Sequence, residues 1–168
     1  MTDSWGEPRT RTVSWHDPSV GLAGMAMTSG RAYLQAMIDG ELPPPPISGL
    51  MRFVAVSAGD GEVVFRCTPD ESAYNPIGLV HGGLVCTLLD SVVGCAVQTT
   101  LPAGTGYTSL EIKVSYLRPV RIGEGDLVAT GRVTKPGRRA AFAEGEVRDE
   151  RDRLVATASS TCLVFPLA

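Results

Sequence analysis

One acidic side chain lies in the most apolar stretch of the chain. Asp90 is the only charged residue between His81 and Thr100, and no lysine or arginine lies within helical reach of it. An unpaired carboxylate on a largely buried helix is energetically unfavourable. This pattern favours a reactive carboxylate in a shielded cleft. The simpler alternative is a carboxylate that faces water beside Thr87 or Gln98.

The segment before this stretch offers backbone donors. Gly82 and Gly83 follow His81 at the point where a helix is predicted to begin. The first turn of a helix leaves N–H groups without partners and carries the positive end of the helix dipole, and glycine lets a ligand carbonyl approach them closely. We therefore predict an oxyanion hole for acyl transfer at Gly83. Taken alone, the glycine pair is equally compatible with a tight turn, and His81 with a packing or capping role.

Asp90 and Gly83 are too far apart on one helix to act on the same carbonyl. At ~1.5 Å per residue their separation along the axis is roughly 10 Å, whereas a base or nucleophile and an oxyanion donor must each lie about 3 Å from the reacting atoms. Two antiparallel copies of the helix, related by a twofold axis, would bring Asp90 of one subunit near Gly83 of the other. The sequence therefore predicts a homo-oligomer with active sites shared between subunits.

Residues 84–98 are predicted to form a long buried helix. Ten of these fifteen residues are apolar, which is typical of a helix inside a protein. We expect the other five to form one stripe, turned toward a direction that the sheet does not cover. The stripe consists of Thr87, Asp90, Ser91, Gly94 and Gln98.

Six β-prone runs flank the predicted helix. They are residues 50–56, 62–67, 109–117, 126–134, 140–149 and 154–165. In the third run Leu110, Ile112, Val114 and Tyr116 alternate with polar residues, which is the period of a half-buried strand. Short links between the later runs predict antiparallel neighbours. The expected fold is α+β, with an antiparallel sheet of five to six strands wrapped around a long central helix.

The N-terminal part is predicted to be an arm, residues 1–47, before a domain of residues 48–168. Residues 1–20 are polar and contain proline, so we expect little intrinsic structure there. A short helix is expected near residues 31–39. The prolines at 43–46 predict an extended segment, because proline fixes its own backbone and disfavours helix in the residue before it.

Composition excludes several classes of protein. A net charge of -3 and a pI near 5.4 give no electrostatic footprint for nucleic acid. The sequence has no uninterrupted apolar run of the ~18 residues that a membrane span requires, and residues 1–15 carry charges where a secretory signal would be apolar. We therefore expect no membrane partner and a cytoplasmic location.

The cysteines do not predict a metal site. They include no C-x-x-C pair and are accompanied by only two histidines, which is not the spacing of a zinc site. We expect buried, reduced thiols and no metal. The cysteines are Cys67, Cys86, Cys95 and Cys162, and the histidines are His16 and His81.

These motifs together resemble the hotdog-fold acyl-CoA thioesterases of the phenylacetate-pathway (PaaI-like) type. The resemblance covers about residues 43–165. It implies dimers or dimers of dimers and no cofactor, since CoA is part of the substrate. The residues that carry it are Asn75-x5-His81-Gly82-Gly83-x6-Asp90, supported by Tyr116-Leu-Arg-Pro119.

The resemblance also implies roles for residues that match the motif. Asp90 corresponds to the catalytic acid, which attacks the thioester carbon or activates a water. Gly83 corresponds to the backbone donor to the thioester oxygen, and His81 to the neighbour that helps to order the loop. Asn75 corresponds to a polar residue that holds the attacking water in some relatives.

Further residues are expected to serve the substrate. The resemblance implies a hydroxyl near the carboxylate, from Ser109 or its neighbour Thr108, and Gly82 joins the substrate-binding set. Arg138 and Arg139 form a basic hairpin tip that is suited to the CoA phosphates, although solvated charges at a strand end explain them equally well. The other candidates are Arg118 and Arg121.

Two other functions remain open from the sequence. A hotdog hydratase or dehydratase would act on the same thioesters without releasing CoA. A non-catalytic acyl-CoA binding module would retain only the pocket. The acyl group is not defined by sequence, and we expect its pocket to be lined by Tyr33, Met37, Tyr74 and the partner's helix.

Overall fold

A computed structural model describes residues 5–167, and its six strands form one antiparallel sheet. The strands are β1 (Phe53–Ala58), β2 (Glu62–Cys67), β3 (Thr105–Tyr116), β4 (Leu127–Lys135), β5 (Ala140–Arg148) and β6 (Leu154–Pro166). Their order across the sheet is β1-β2-β4-β5-β6-β3, so β1 and β3 are the edge strands. The helices are α1 (Pro18–Met27), α2 (Gly30–Ile38), α3 (Pro46–Met51) and α4 (Gly82–Thr99).

The long helix α4 packs across this sheet and contacts all six strands. Its mean hydropathy over 18 residues is 1.4, which a membrane span would also show, but 61% of that stretch is buried inside the protein. It is therefore the core helix. The predicted hotdog architecture, a sheet of five to six strands around a long helix, is confirmed with six strands.

Two paired glycines let α4 approach the middle of the sheet. Gly131 in β4 lies directly opposite Gly145 in β5. A Cβ at Gly131 would lie 2.2 Å from the carbonyl oxygen of Val92, and one at Gly145 would lie 2.8 Å from Val93 Cγ1. The helix backbone therefore lies directly against Gly131, and side chains of the helix lie against Gly145.

The N-terminal part contains more helix than the sequence predicted. The expected helix near residues 31–39 is α2, but α1 precedes it and starts inside the stretch expected to lack structure. Asp17 caps α1 through its side chain, and proline occupies the first helical position, where its missing N–H costs nothing. Residues 5–17 form no helix or strand.

The strand predicted at residues 50–56 begins later than expected. Pro45 is extended, as predicted, but Pro46 starts the six-residue helix α3 instead of continuing the extended segment. Arg52 then ends α3 in the left-handed conformation, with φ at 57°, before β1 begins. The prediction was wrong here because proline is well accommodated in the first turn of a helix.

Strand β3 contains an irregularity that changes which side chains face the helix. Ser109 pairs with Cys162 and Glu111 with Thr161, so one extra residue, Leu110, is accommodated between them as a bulge. Leu110 is 59% exposed. The regular alternation expected across the whole strand is therefore wrong at this point.

Candidate active site

The start of α4 is organised by its capping residue. The Nδ1 atom of His81 accepts a hydrogen bond from the Gly83 N–H at 2.8 Å. The His81 N–H donates to the Ala73 carbonyl at 2.7 Å, which ties the helix start to the preceding loop. In this structure the backbone donor that was predicted to polarise a substrate is therefore bonded to the imidazole beside it.

Both glycines at the helix start lie against neighbouring rings. The Tyr116 hydroxyl donates to the Gly82 carbonyl at 3.0 Å, and a Cβ on Gly82 would lie 3.1 Å from the Tyr116 ring. A Cβ on Gly83 would lie 2.9 Å from His81 Nδ1. Tyr116 thus positions the first turn, a role that the sequence reasoning did not assign to it.

The carboxylate of Asp90 is half-buried and is held from the edge strand. The Ser109 hydroxyl donates to Asp90 Oδ1 at 2.7 Å. The bulge at Leu110 explains this contact, because it allows Ser109 to face α4 while Ile112, farther along β3, does so as well. No ion pair among residues 5–167 involves Asp90.

Thr108, the alternative to Ser109, is directed to the other side of the sheet. It is exposed and pairs with Leu163, which is also exposed. Successive side chains of a strand point to opposite faces. The structure therefore brings Ser109, but not Thr108, to the carboxylate.

Strand β3 covers the part of the polar stripe that follows Asp90 on α4, at Gly94 and Gln98. The Tyr107 ring lies on Gly94, where a Cβ would be 2.3 Å from the phenol oxygen. Gln98 Nε2 donates to the Thr105 carbonyl at 3.3 Å. Burial raises the pKa of the Tyr107 phenol well above its usual value, and the nearby Cys95 and Asp90 contribute in the same direction. The expectation that the whole stripe faces away from the sheet was wrong.

A cleft of about 460 Å³ opens beside Gly83. Its lining combines the start of α4 with α3 and the loop before α4. The lining residues are Arg11, Leu50, Met51, Arg52, Asp70, Ser72, Ala73, His81, Gly83, Leu84 and Thr87.

The residues expected around the acyl group do not line this cleft. Tyr33 is only 7% exposed and belongs to the hydrophobic core, where burial raises its pKa to about 12. Met37 packs against the same core. Tyr74 lies instead along the N-terminal residues, and its hydroxyl accepts a hydrogen bond from the Ile122 N–H. Within a single chain these three residues therefore do not come together at the Gly83 cleft, and the predicted lining, which includes the partner's helix, stays a prediction.

Asn75 stabilises its own loop in this structure. Its side-chain oxygen accepts hydrogen bonds from the N–H groups of Ile77 and Leu79, at 3.1 and 3.0 Å. It lines a second cleft, of about 290 Å³, together with Gly82 and Tyr116. The structure does not bring Asn75 into the cleft that contains Gly83 and His81.

The basic hairpin tip lies near the other end of α4. Arg138 lines a cleft of about 480 Å³ with Thr100 and Leu101, which follow the C-terminus of the helix. Arg139 is exposed, and its carbonyl accepts a hydrogen bond from Val164. Within one chain these arginines are thus separated from Gly83 by the length of the helix, roughly 27 Å at ~1.5 Å per residue.

The cysteines are free thiols in the structure. Cys67 and Cys162 are buried, and Cys86 and Cys95 are half-buried. Burial raises the pKa of the Cys67 and Cys95 thiols to about 12. Across residues 5–167, no three His, Cys, Asp or Glu side chains are grouped to hold a metal ion.

Several known proteins are similar to this chain in sequence and in fold. Residues 77–156 match the family model of the thioesterase superfamily. The Homo sapiens protein acyl-coenzyme A thioesterase 13 is 33% identical over 101 residues, which are 60% of this chain and 71% of that protein. A phenylacetic acid degradation-related protein from Ralstonia eutropha superposes with a TM-score of 0.72 at 31% identity, over 78% of this chain and 98% of that one.

A second similar structure contains a ligand. The Streptococcus mutans protein smu.793, solved with bound acetyl CoA, superposes with a TM-score of 0.63 at 27% identity, over 68% of this chain and 90% of that one. The fold and these matches define a hotdog thioester hydrolase, which confirms the resemblance to the PaaI-like type. The chain belongs to the thioesterase superfamily.

Proposed function

We propose that this protein is an acyl-CoA thioesterase that hydrolyses an acyl- or aryl-CoA to the free acid and CoA. The observation that carries the proposal is the Asp90 carboxylate, half-buried in the core helix and oriented by the Ser109 hydroxyl. The printed name of the human relative and the acetyl CoA in the Streptococcus mutans structure support CoA thioesters as the substrate class.

The carboxylate is suited to two routes of hydrolysis. The hydrogen bond on Oδ1 leaves Asp90 Oδ2 to react. In one route Oδ2 attacks the thioester carbon, the C–S bond breaks, CoA leaves as the thiolate, and water cleaves the resulting anhydride. In the other, Oδ2 takes a proton from water, the hydroxide attacks the carbon, and the proton passes to the departing sulfur. Both routes give the same products.

Gly83 is proposed to polarise the thioester carbonyl through its N–H. In the structure that N–H donates to His81 Nδ1, so the substrate oxygen must replace the imidazole as its acceptor. The N-terminal end of α4 favours a developing negative charge on that oxygen. His81 then serves as an exchangeable cap that keeps the donor satisfied until the substrate arrives.

The distance along α4 supports a site shared between two subunits. β3 is a 12-residue edge strand whose free side has no partner strand among residues 5–167, and the apolar Leu110 is exposed there. Pairing β3 with a second copy would continue the sheet and bring two α4 helices side by side in opposite directions. That arrangement would place Asp90 near the partner's Gly83. It would also place Arg138 near the N-terminal end of the partner's α4.

A panel of acyl-CoAs tests the proposed function. Purified protein is incubated with each thioester and a thiol-trapping dye, while mass spectrometry follows the acyl group. Release of free CoA is expected for at least one acyl class. Hydration without CoA release would instead indicate the hydratase, and tight binding without either product the non-catalytic module; both outcomes would overturn the proposal.

The catalytic residue is tested by replacing Asp90 with asparagine. We expect turnover to fall by at least about a hundredfold, because the amide neither attacks nor accepts a proton, while folding and assembly are retained. Ser91→Ala is the matched control on the next residue of α4, where the hydroxyl bonds only to the Thr87 carbonyl at 2.8 Å. Equal activity of Asp90→Asn and Ser91→Ala would remove Asp90 from the mechanism.

The shared site is tested by mixing two inactive variants. Gly83→Pro removes the proposed donor at a position in the first helical turn that tolerates proline. In a mixed dimer with Asp90→Asn, one of the two shared sites has both wild-type residues. We expect part of the activity to return on mixing. Verified heterodimers without any recovered activity would contradict the shared geometry.

A further inference from the structure

Two guanidinium groups converge on one carboxylate in the wall of the Gly83 cleft. Arg52 Nη1 donates to Asp70 Oδ2 at 2.8 Å, and Arg11 Nη1 donates to the same oxygen at 3.1 Å. Arg11 Nη2 also donates to the Leu50 carbonyl at 2.7 Å. Arg11 belongs to the N-terminal arm, so the arm contributes directly to the wall of this cleft.

The acceptor capacity of this cluster is fully used, whereas its donor capacity is not. A carboxylate offers about four acceptor positions, and Asp70 receives the two arginines on Oδ2 and the N–H and hydroxyl of Ser72 on Oδ1. These hydrogen bonds, that of the Ser72 hydroxyl first, hold the pKa of Asp70 well below its usual value. Each guanidinium has five donors, most of which remain free for a ligand that brings only acceptors.

The cluster is reachable and borders an apolar lining. The side chains of Arg11 and Arg52 are 31% and 43% exposed. The same cleft is lined by Leu50, Met51 and Leu84 and reaches Gly83. A ligand that fits all of these groups has a carbonyl for Gly83, a short apolar chain and a terminal anionic group.

We propose that this cleft selects acyl-CoA substrates whose acyl chain ends in a carboxylate, which Arg11 and Arg52 bind. The proposal rests on the proposed function and names its substrate class. The anion is assigned to the acyl side because the CoA phosphates are separated from the thioester by the long pantetheine chain, whereas the arginines line the same cleft as Gly83. Guanidinium groups bind carboxylates through paired, charge-assisted hydrogen bonds.

The test compares acyl groups of equal length with and without the terminal charge. kcat/KM is measured for adipoyl-CoA against hexanoyl-CoA, and for glutaryl-CoA against pentanoyl-CoA. Arg11→Gln and Arg52→Asn remove one guanidinium each, asparagine being chosen because residue 52 has φ at 57°, a conformation that it tolerates. Arg66→Gln is the matched control, an arginine beside the Asp126 carboxylate and outside the cleft.

The expected result is a selective loss. Wild type and Arg66→Gln should favour the dicarboxylic substrate of each pair, and each cleft variant should lose that preference by about tenfold, as expected for a charge-assisted hydrogen bond partly open to water. The kcat/KM for hexanoyl-CoA should fall by a much smaller factor, because that acyl chain has no carboxylate for the guanidinium groups to bind. A wild type without the preference, or variants that retain it, would overturn the proposal.

A second comparison tests whether Arg11 and Arg52 bind the CoA phosphates instead of the acyl carboxylate. If Arg11 and Arg52 bind them, both variants will slow adipoyl-CoA and hexanoyl-CoA equally, and will not affect the corresponding pantetheine thioesters, which lack the nucleotide. That result would also overturn the proposal. If the arginines recognise the acyl carboxylate, the preference and its loss in the variants persist with pantetheine thioesters.

A binding measurement separates this proposal from the proposed function. The thermal unfolding midpoint is recorded with free glutarate and with its uncharged diamide, glutaramide, at the same ionic strength. Glutarate should stabilise wild type and Arg66→Gln but neither cleft variant. This result without hydrolysis of any acyl-CoA would reject the thioesterase and leave the anion site standing. Hydrolysis of hexanoyl-CoA without preferential glutarate stabilisation would reject only the anion site.

Discussion

Replacing Gly94 with alanine tests the packing that holds the candidate carboxylate in place. The new Cβ would lie 2.3 Å from the Tyr107 hydroxyl oxygen and 2.4 Å from Cε2 of the same ring, so the ring must retreat by about 1 Å to regain ordinary contact. Overpacking of this kind costs about 1–3 kcal/mol, while alanine gains about 1 kcal/mol over glycine within a helix. We expect a net loss of up to about 2 kcal/mol in the free energy of unfolding.

Urea unfolding at one fixed protein concentration measures this loss. Gly24→Ala in α1 is the matched control, because its Cβ would lie against the flexible Leu42 side chain, with the nearest atom, Cδ1, at 2.7 Å. The control should be neutral or slightly stabilised. If Gly94→Ala is as stable as Gly24→Ala, the Tyr107 ring does not lie on Gly94 and the reasoning fails.

The same substitution should also lower activity. Tyr107 and Ser109 face the same side of β3, so a retreat of the ring draws the Ser109 hydroxyl away from Asp90. We expect kcat to fall by about tenfold, the effect of roughly 1.4 kcal/mol on the barrier. Adding Tyr107→Leu to Gly94→Ala should recover part of the stability, with a coupling energy of about 1 kcal/mol. Strictly additive losses would indicate that the two residues do not touch.

Three further outcomes are expected. Ser109→Ala should lower the free energy of unfolding by about 1–2 kcal/mol, because the hydrogen bond to the charged, half-buried Asp90 is lost. In an Asp90→Asn background the same substitution should cost much less. Equal losses in both backgrounds would contradict the contact. Native Cys67 should react with iodoacetamide at pH 8 about a thousandfold more slowly than after denaturation, because burial raises its pKa from 9.0 to about 12; labelling at the denatured rate would show that it is accessible. Gly131→Ala should lower the free energy of unfolding by at least about 3 kcal/mol, because its Cβ would lie 2.2 Å from the Val92 carbonyl oxygen, a backbone atom. A variant as stable as wild type in urea unfolding would refute this packing.

The long helix and the sheet were predictable because their patterns are redundant. In residues 84–98 ten of fifteen side chains are apolar, and two glycines precede them. This pattern predicts a buried helix and also predicts where the helix starts. The later strands are bounded by short turns, and each boundary was predicted to within a few residues of β4, β5 and β6. The charge of Asp90 in that apolar helix also predicted the position of the candidate site, and the role of Asp90 there stays a prediction.

The bulge in β3 was not predictable from alternation. A period of two assumes one residue per pairing step, and Leu110 is an extra residue whose apolar type suggests the core side. Only the pairing with β6 shows that Ser109 faces the helix and Leu110 does not. The hydroxyl beside the carboxylate was therefore reached through the family resemblance and not through the strand pattern.

The charged wall of the cleft was also invisible in the sequence. Arg11, Arg52 and Asp70 are separated by 41 and 18 positions in the chain, and no local period relates them. They meet because α3 ends in a left-handed residue and the arm crosses beside it. Contacts between a segment without helix or strand and a distant turn depend on the tertiary fold, and local sequence propensity does not predict them.

The facing glycines at 131 and 145 have a consequence for how the candidate site tolerates change. Because the main chain of α4 lies against Gly131 and the Val93 side chain lies against Gly145, the height of Asp90 above the sheet depends on this glycine pair. Exchanges among the surrounding valines and leucines then alter how well the interior is filled without shifting the acid. Substrate range can thus diverge around a stationary carboxylate.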